Sequence, residues 1–198
     1  MIHLDEEHVG LLLADVADKS IQAALFMAVS RTLFLVESKH SLSPVAVALA
    51  VHQGMLDVAV EDDVFVTAFY GVLHRPSGRL TYVIAGHERP LLARPGLPVQ
   101  TIPGRGRFLG MLEELELQEN TIQLATGDRL LIFSDGVPDA VDRHNRNYGL
   151  QRLSDFLLSQ VEASAPQIVA RIPEHVASWC RGAPPFDDLT LLCVEARH

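Results

Sequence analysis

The stretch Leu130-Leu131-Ile132-Phe133-Ser134-Asp135-Gly136-Val137 decides how the chain is interpreted. Its four apolar residues, 130–133, are too few for a helix, and glycine or polar residues bound them on both sides. The pattern therefore predicts a buried strand that ends in a tight turn. An aspartate at the end of a core strand is costly unless its charge is compensated. Asp135 is therefore the first candidate site residue.

Two other apolar runs carry an aspartate at one end. Residues 11–14 run into Asp15, and Asp187-Asp188 leads into the apolar run 189–194. Carboxylates from three strand ends would suit a site for hard cations, which favours Mg²⁺ or Mn²⁺ over Zn²⁺. Two such ions about 4 Å apart can activate water against a phosphoryl group. Each aspartate could equally cap a turn or a helix, and spacing alone leaves both interpretations open.

The composition is that of an ordinary globular chain. Its 198 residues are 48% hydrophobic and 21% charged, which fits one domain with a substantial core. Sixteen basic and 25 acidic residues give a formal charge of −9, which argues against nucleic acid as a ligand. We find no apolar run long enough for membrane insertion and no signal-peptide pattern, so we expect a cytoplasmic protein.

Periodicity and turn residues predict an antiparallel α+β domain, because consecutive strands follow one another through short turns and helices lie at both ends. Helices are expected at 21–38, 43–58, 150–161 and 166–181. Pro173 is expected to kink or break the last helix. Strands are expected at 9–14, 64–74, 80–85, 91–93, 116–124, 130–133 and 189–194, with a break at 61–63 and a loop at 95–110. Ser20 or Asp18 is expected to cap the first helix, and Ser43-Pro44 to open the second.

A series of short motifs follows the order seen in a known family. They are Ala-Asp-Val-Ala-Asp-Lys-Ser at 14–20, Ala-Ala-Leu-Phe-Met-Ala at 23–28, and the segments 69–73, 78–82, 85–87, 109–110, 127–128, 134–137 and 187–190. Together they resemble the metal-dependent Ser/Thr protein phosphatases (protein phosphatase 2C-like), in the bacterial branch of the sporulation stage II protein E type. The resemblance covers about residues 9–195.

This resemblance implies a fold and a metal centre. The fold is an α-β-β-α sandwich, in which two antiparallel sheets pack face to face with helices on both outer faces. The centre holds two Mn²⁺ or Mg²⁺ ions. By position, Asp15 would bridge both ions, the main-chain carbonyl of Val16 would bind one, and Asp135 and Asp187 would bind the other. Asp188 would not bind a metal itself but would lie next to the residues that do, and would support them.

Two features depart from the family pattern. Family members carry a Gly-Asp motif some tens of residues before the first strand seen here, so residues 1–198 are expected to form a single phosphatase-like domain without that strand and its acid. Asp18 and Ser20 stand where the family has glycines. If that turn needs a positive φ, a side chain there is strained, although aspartate tolerates it better than most residues. Asp18 could instead add charge beside the metals.

The resemblance also implies a function. The expected activity is metal-dependent hydrolysis of a phosphoserine or phosphothreonine protein through metal-activated water, without a phosphoenzyme. The expected substrate is an anti-anti-sigma-type regulator in a partner-switching or stress-signalling pathway, and a sensor domain or a second copy of the chain is a candidate partner. The alternative is a catalytically inactive phosphatase-like module that binds partners in a signalling complex. Retention of Asp15, Asp135 and Asp187 favours the enzyme, because a scaffold has no need of three costly carboxylates.

Overall fold

The computed structural model describes residues 1–58, 64–160, 162–183 and 187–197. In chain order its elements are β1 (Ile2–His3), β2 (His8–Val16), α1 (Ile21–Glu37), α2 (Pro44–Val58), β3 (Val66–His74), β4 (Arg79–Ala85), β5 (Leu91–Ala93), β6 (Gln100–Thr101), β7 (Asn120–Gln123), β8 (Arg129–Phe133), α3 (Gly149–Ser159), α4 (Ala165–Cys180) and β9 (Leu191–Glu195). They divide into two compact units. The first is Met1–His87 with Pro103–Leu124, and the second is Glu88–Ile102 with Ala125–His198.

The first unit is a five-stranded antiparallel sheet with the order β1-β2-β3-β4-β7. Alternate residues of β3 point toward α1 and α2, because successive side chains of a strand point to opposite faces. Tyr70 of β3 packs on Phe34 of α1 with ring centroids 5.4 Å apart. The buried core of this unit includes Phe34, Val47, Val51, Met55, Val66, Ala68, Tyr70, Val72 and Val83.

Helix α1 begins where the sequence predicts. The side chain of Ser20 accepts a hydrogen bond from the backbone N–H of Ala23 at 3.2 Å, as an N-cap residue does. The helix buries Phe34 completely but leaves Ile21 and Leu25 exposed at 83% and 64%. Part of its apolar surface is therefore open.

Helix α2 also begins as predicted, with Pro44 as its first residue. The Ser43 hydroxyl accepts from the backbone N–H of Ala46 at 3.4 Å. It also donates to Oε2 of Glu119 at 3.0 Å, and the same oxygen accepts from the N–H of Val45 at 3.2 Å. A carboxylate from a distant part of the chain thus satisfies helix donors that would otherwise lack a partner.

The second unit is a four-stranded antiparallel sheet with the order β6-β5-β8-β9. Helices α3 and α4 contribute to its core. The buried residues there include Leu91, Leu131, Phe133, Val137, Tyr148, Leu153, Leu157, Ile168, Ile172 and Val176. The predicted α+β class with two antiparallel sheets is confirmed.

Four details differ from the sequence-based expectation. Strand β1 precedes the first predicted strand and is two residues long. Helix α4 runs unbroken through Pro173, because Ile168, Ile172 and Val176 bury one face of it on either side of the proline. Strand β6 lies inside the predicted loop; it is two exposed polar residues long and gives no hydrophobic signal. Strand β7 is shorter than the predicted strand 116–124.

Two expectations fall outside the described residues, namely the break at 61–63 and the end of the third helix at residue 161. Of the helices that are described, none combines the length and the apolar character needed to cross a bilayer.

The loop after the central turn is organised by a single carboxylate. Oδ1 of Asp142 accepts from the backbone N–H groups of His144 and Arg146 at 2.8 and 3.0 Å. Oδ2 accepts from Nε and Nη2 of Arg146 at 2.8 and 2.6 Å. The hydrogen bonds from the Arg146 side chain hold the pKa of Asp142 well below its usual value. The ionised carboxylate therefore stabilises the folded state.

We expect Asp142→Asn to unfold at a temperature a few degrees lower than the parent chain at neutral pH, because the amide cannot accept the charged fork of Arg146. A lowered folded-state pKa stabilises the fold fully above the unfolded value, and this stabilisation is lost as the pH falls. The difference in unfolding temperature between the parent chain and the Asp142→Asn variant should thus be constant above about pH 5. It should shrink as the pH falls below 3.8, the ordinary value.

Thermal unfolding followed by circular dichroism across this pH range measures the difference. Asp57→Asn is the matched control, because Asp57 is exposed and, among the residues that the structure describes, its carboxylate accepts from Gln53 alone, at 3.1 Å. A difference between the Asp142→Asn variant and the parent that does not change with pH would contradict the assignment.

Candidate functional site

The turn after β8 is held by its own backbone and by a buried serine. The N–H of Ser134 donates to the carbonyl of Thr190 at 3.0 Å. Its hydroxyl donates to the carbonyl of Asp188 at 3.1 Å and accepts from the N–H of Thr190 at 3.0 Å. These three bonds fix residues 134–136 against residues 188–190. A side chain at Gly136 would collide with the carbonyl oxygen of Asp188, so this close approach requires glycine.

This arrangement brings two of the predicted site residues together. Partial burial raises the pKa of Asp135 above its usual value, and the neighbouring Asp187 carboxylate raises it further. Oδ1 of Asp187 accepts from the N–H of Asp188 at 2.8 Å, which orients that carboxylate. Asp188 itself is exposed, and it contributes its backbone carbonyl to the Ser134 network.

Two further carboxylates, Glu88 and Asp139, act electrostatically at this end of the sheet, and the sequence analysis selected neither as a site residue. Burial raises the pKa of Glu88, and the charges of Asp139 and Asp135 raise it further, while Arg89 opposes them. Asp139 is exposed; its backbone N–H donates to the carbonyl of Asp135 at 2.9 Å. The only signal in the sequence is that Asp139 follows Asp135 by four residues within the same turn. This end of the second sheet is therefore acidic. The residues are Glu88, Asp135, Asp139 and Asp187.

Asp15 and Val16 lie in the first unit, at the end of β2. Asp15 is paired in register with Thr67 of β3, and Val16 with Val66. The Thr67 hydroxyl lies 3.5 Å from the carbonyl oxygen of Asp15 and 3.1 Å from Nδ1 of the buried His87. His87 therefore supports the backbone at the end of β2.

Asp18 occupies the turn between β2 and α1. Its φ of +94° lies in the region that favours glycine, as its alignment with a family glycine suggests. Hydrogen bonds from the Ser20 side chain and the Lys19 backbone hold the pKa of Asp18 below its usual value. The Lys19 N–H donates to Oδ1 of Asp18 at 2.7 Å. The carboxylate thus stabilises its own turn, and its predicted role beside a metal stays a prediction.

The structure places Asp135 and Asp187 together in the second unit and Asp15 with Val16 in the first. Across residues 1–58, 64–160, 162–183 and 187–197, no three His, Cys, Asp or Glu side chains are grouped closely enough to hold one metal ion. The chemistry of the Asp135–Asp187 pair nevertheless fits a hard divalent cation. Its donors are all oxygens, and a cation beside them would offset both the burial and the Asp187 charge, which together raise the pKa of Asp135.

Comparison with known proteins gives one family. The family model described as Stage II sporulation protein E (SpoIIE) matches residues 5–197. Phosphoserine phosphatase RsbU of Bacillus subtilis (strain 168) is 24% identical over 196 residues, which cover 98% of this chain and 57% of RsbU. The chain spans 34–57% of the length of the curated relatives it matches.

Two solved structures show the same fold. One is the PP2C phosphatase domain, with a fragment of the regulatory domain, of the cell fate determinant SpoIIE from Bacillus subtilis. It is 17% identical with a TM-score of 0.81, over 98% of this chain and 56% of that chain. The other contains the RsbU and RsbW domains of Rv1364c from Mycobacterium tuberculosis. It is 23% identical with a TM-score of 0.77, over 96% of this chain and 52% of that chain.

The structural likeness confirms the predicted PP2C-type fold. Because the family model matches almost the whole chain, as the order of the sequence motifs predicted, the protein belongs to the Stage II sporulation protein E (SpoIIE) family.

Proposed function

We propose that this protein is a Mn²⁺- or Mg²⁺-dependent phosphatase that hydrolyses phosphoserine or phosphothreonine in a protein. The observation that carries the proposal is that Asp135, just after β8, is held near Asp187, shortly before β9, by the Ser134 hydrogen bonds and the close approach at Gly136. Family membership and the phosphoserine phosphatase activity named for RsbU support it. A binding module without catalysis has no use for two neighbouring carboxylates, because like charges repel.

The residues proposed to hold the metals are those at the ends of the core strands. The carboxylates of Asp15, Asp135 and Asp187 would hold the ions, together with the main-chain carbonyl of Val16. When bound, such ions lower the pKa of a coordinated water and polarise the phosphoryl group. Asp188 would support the ligands through its backbone contact with Ser134.

The protein itself would contribute the position of the ligands and the negative charge around them. Burial of β8 and the Ser134 network hold the turn that carries Asp135 against residues 188–190. Glu88 and Asp139 add negative charge to the same end of the sheet, which would attract a divalent cation. These contacts support Asp135 and Asp187 as two of the proposed ligands, because the turn that carries Asp135 is held before any ion binds.

The proposed substrate is a phosphorylated regulator of the anti-anti-sigma type, in a partner-switching pathway. The support is comparative, because RsbU is a relative and because RsbU and RsbW domains occur together in Rv1364c. The exposed Ile21 and Leu25 of α1 support a protein partner, either a sensor domain or a second copy of this chain.

Replacing Asp135 with Asn should abolish turnover of a chromogenic phosphomonoester measured with Mn²⁺ present. Loss of a direct ligand should cost more than the roughly 10–100-fold that loss of an outer-shell partner costs. The variant should unfold at the same or a higher temperature without metal, because one of two repelling charges is gone. This combination of lost activity and retained stability separates a ligand from a structural residue.

Asp155→Asn is the control for this experiment, because Asp155 is exposed on α3 and its carboxylate accepts from Gln151 at 2.9 Å and from no other described residue. It should retain the parent rate. A parent chain without turnover at any Mn²⁺ concentration would overturn the proposal, and an Asp135→Asn variant with the parent rate would remove Asp135 from the site.

Removal of divalent ions with EDTA should stop turnover, and either Mn²⁺ or Mg²⁺ should restore it, because an all-oxygen donor set prefers hard cations. Mn²⁺ binding can be followed directly by the loss of its free electron paramagnetic resonance signal. Both Asp15→Asn and Asp187→Asn should weaken that binding. Mn²⁺ titrations that match the parent chain in both variants would show that these carboxylates are not ligands.

A further inference from the structure

A cavity of about 300 Å³ opens in the first unit, on the sheet face that carries the helices. One wall is a row of side chains on three adjacent strands, since His8 pairs with His74 and His74 pairs with Arg79 in register. Ser43 and Pro44 at the start of α2 also line the cavity, as does Glu119.

Arg79 provides a cation without a partner in this cavity. The two histidines beside it are already matched by carboxylates: Nδ1 of His8 lies 2.9 Å from Asp5, and Nε2 of His74 lies 3.3 Å from Glu7. Arg79 forms no side-chain hydrogen bond or ion pair within the part of the chain that the structure describes. Its planar guanidinium suits a carboxylate, which it can bind through two parallel hydrogen bonds.

Glu119 provides a fixed acceptor at the other end. Its Oε2 is occupied by the Ser43 hydroxyl and the Val45 N–H. Its Oε1 has no hydrogen-bond partner among the described residues. The two bonds to Oε2 hold the carboxylate in one orientation, so Oε1 is available to a donor in the cavity without further ordering.

The spacing of these two groups suits one small molecule. Arg79 pairs with Gln123 of β7, and Glu119 lies four residues before Gln123, so the two backbones are about 13 Å apart. Both side chains line the cavity, and each is long enough to bring its charged group several ångströms from its backbone. Its volume lies at the lower end of the range for small-molecule sites.

We propose that this cavity binds a small zwitterion of the amino-acid class, with its carboxylate on Arg79 and its ammonium group on Glu119. The site is separate from the proposed metal ligands. Asp15 lies seven residues along β2 from His8, or about 23 Å in an extended strand. The proposal goes beyond phosphatase activity and does not depend on it.

Isothermal titration calorimetry of the whole chain tests the proposal. The probes are the protein amino acids, β-alanine and γ-aminobutyrate, with succinate and putrescine as molecules that carry charges of one sign. We expect at least one zwitterion to bind with a Kd below about 1 mM, and more tightly than succinate or putrescine. Arg79→Gln should weaken that binding by about tenfold or more, because it removes a charged hydrogen-bonding partner.

Arg75→Gln is the matched control, because Arg75 is an exposed arginine in the same hairpin turn and does not line the cavity. It should bind like the parent chain. Glu119→Gln should lose the preference for the zwitterion over succinate. Thermal unfolding should show that each variant is folded.

Three outcomes would overturn the proposal. They are the absence of binding by every zwitterion, binding that survives Arg79→Gln, and succinate binding as tightly as the best zwitterion. Succinate binding of that strength would show that the cavity binds anions in general and does not recognise the ammonium group.

Discussion

The attachment of the turn after β8 to residues 188–190 is the constraint on which the candidate site depends. Ser134 makes this attachment, and β8 pairs with β9 along its whole length. The attachment brings the Asp135 carboxylate near that of Asp187, and like charges near one another repel. The buried apolar residues of β8 supply the free energy that holds the charged pair in place. The fold therefore maintains a local electrostatic cost, which a bound cation would offset.

Much of this arrangement can be predicted from the sequence. The run 130–133 is short, apolar and bounded by glycine and polar residues, so its strand and turn follow from local rules. The caps at Ser20 and Ser43 follow from side-chain chemistry over three residues. Glu88 and Asp139 could not be selected in this way. Their charges matter only because the tertiary fold brings them to Asp135, and no spacing along the chain encodes that distance. Pro173 fails as a helix breaker for a related reason, since packing on either side outweighs a local preference.

The turn between β2 and α1 shows how the family pattern can change while the backbone is kept. Asp18 adopts a φ of +94°, a conformation that glycine adopts without strain. Its own carboxylate accepts the next backbone N–H, and short polar side chains that bond locally are the ones that tolerate this region best. The turn into α1 therefore keeps a conformation that favours glycine. The hydrogen bond from the Lys19 N–H to the Asp18 carboxylate stabilises it.

The carboxylate of Glu119 at the start of α2 has a consequence for the order in which the first unit folds. The acceptor for the first donors of this helix lies 76 residues away from Ser43, just before the last strand of the sheet. Forming that contact requires closure of a long loop, which is entropically costly and slow compared with local helix formation. Helix α2 should thus fray at its first turn in any partly folded state that lacks β7, and it should become fully protected from amide exchange only when the sheet is complete.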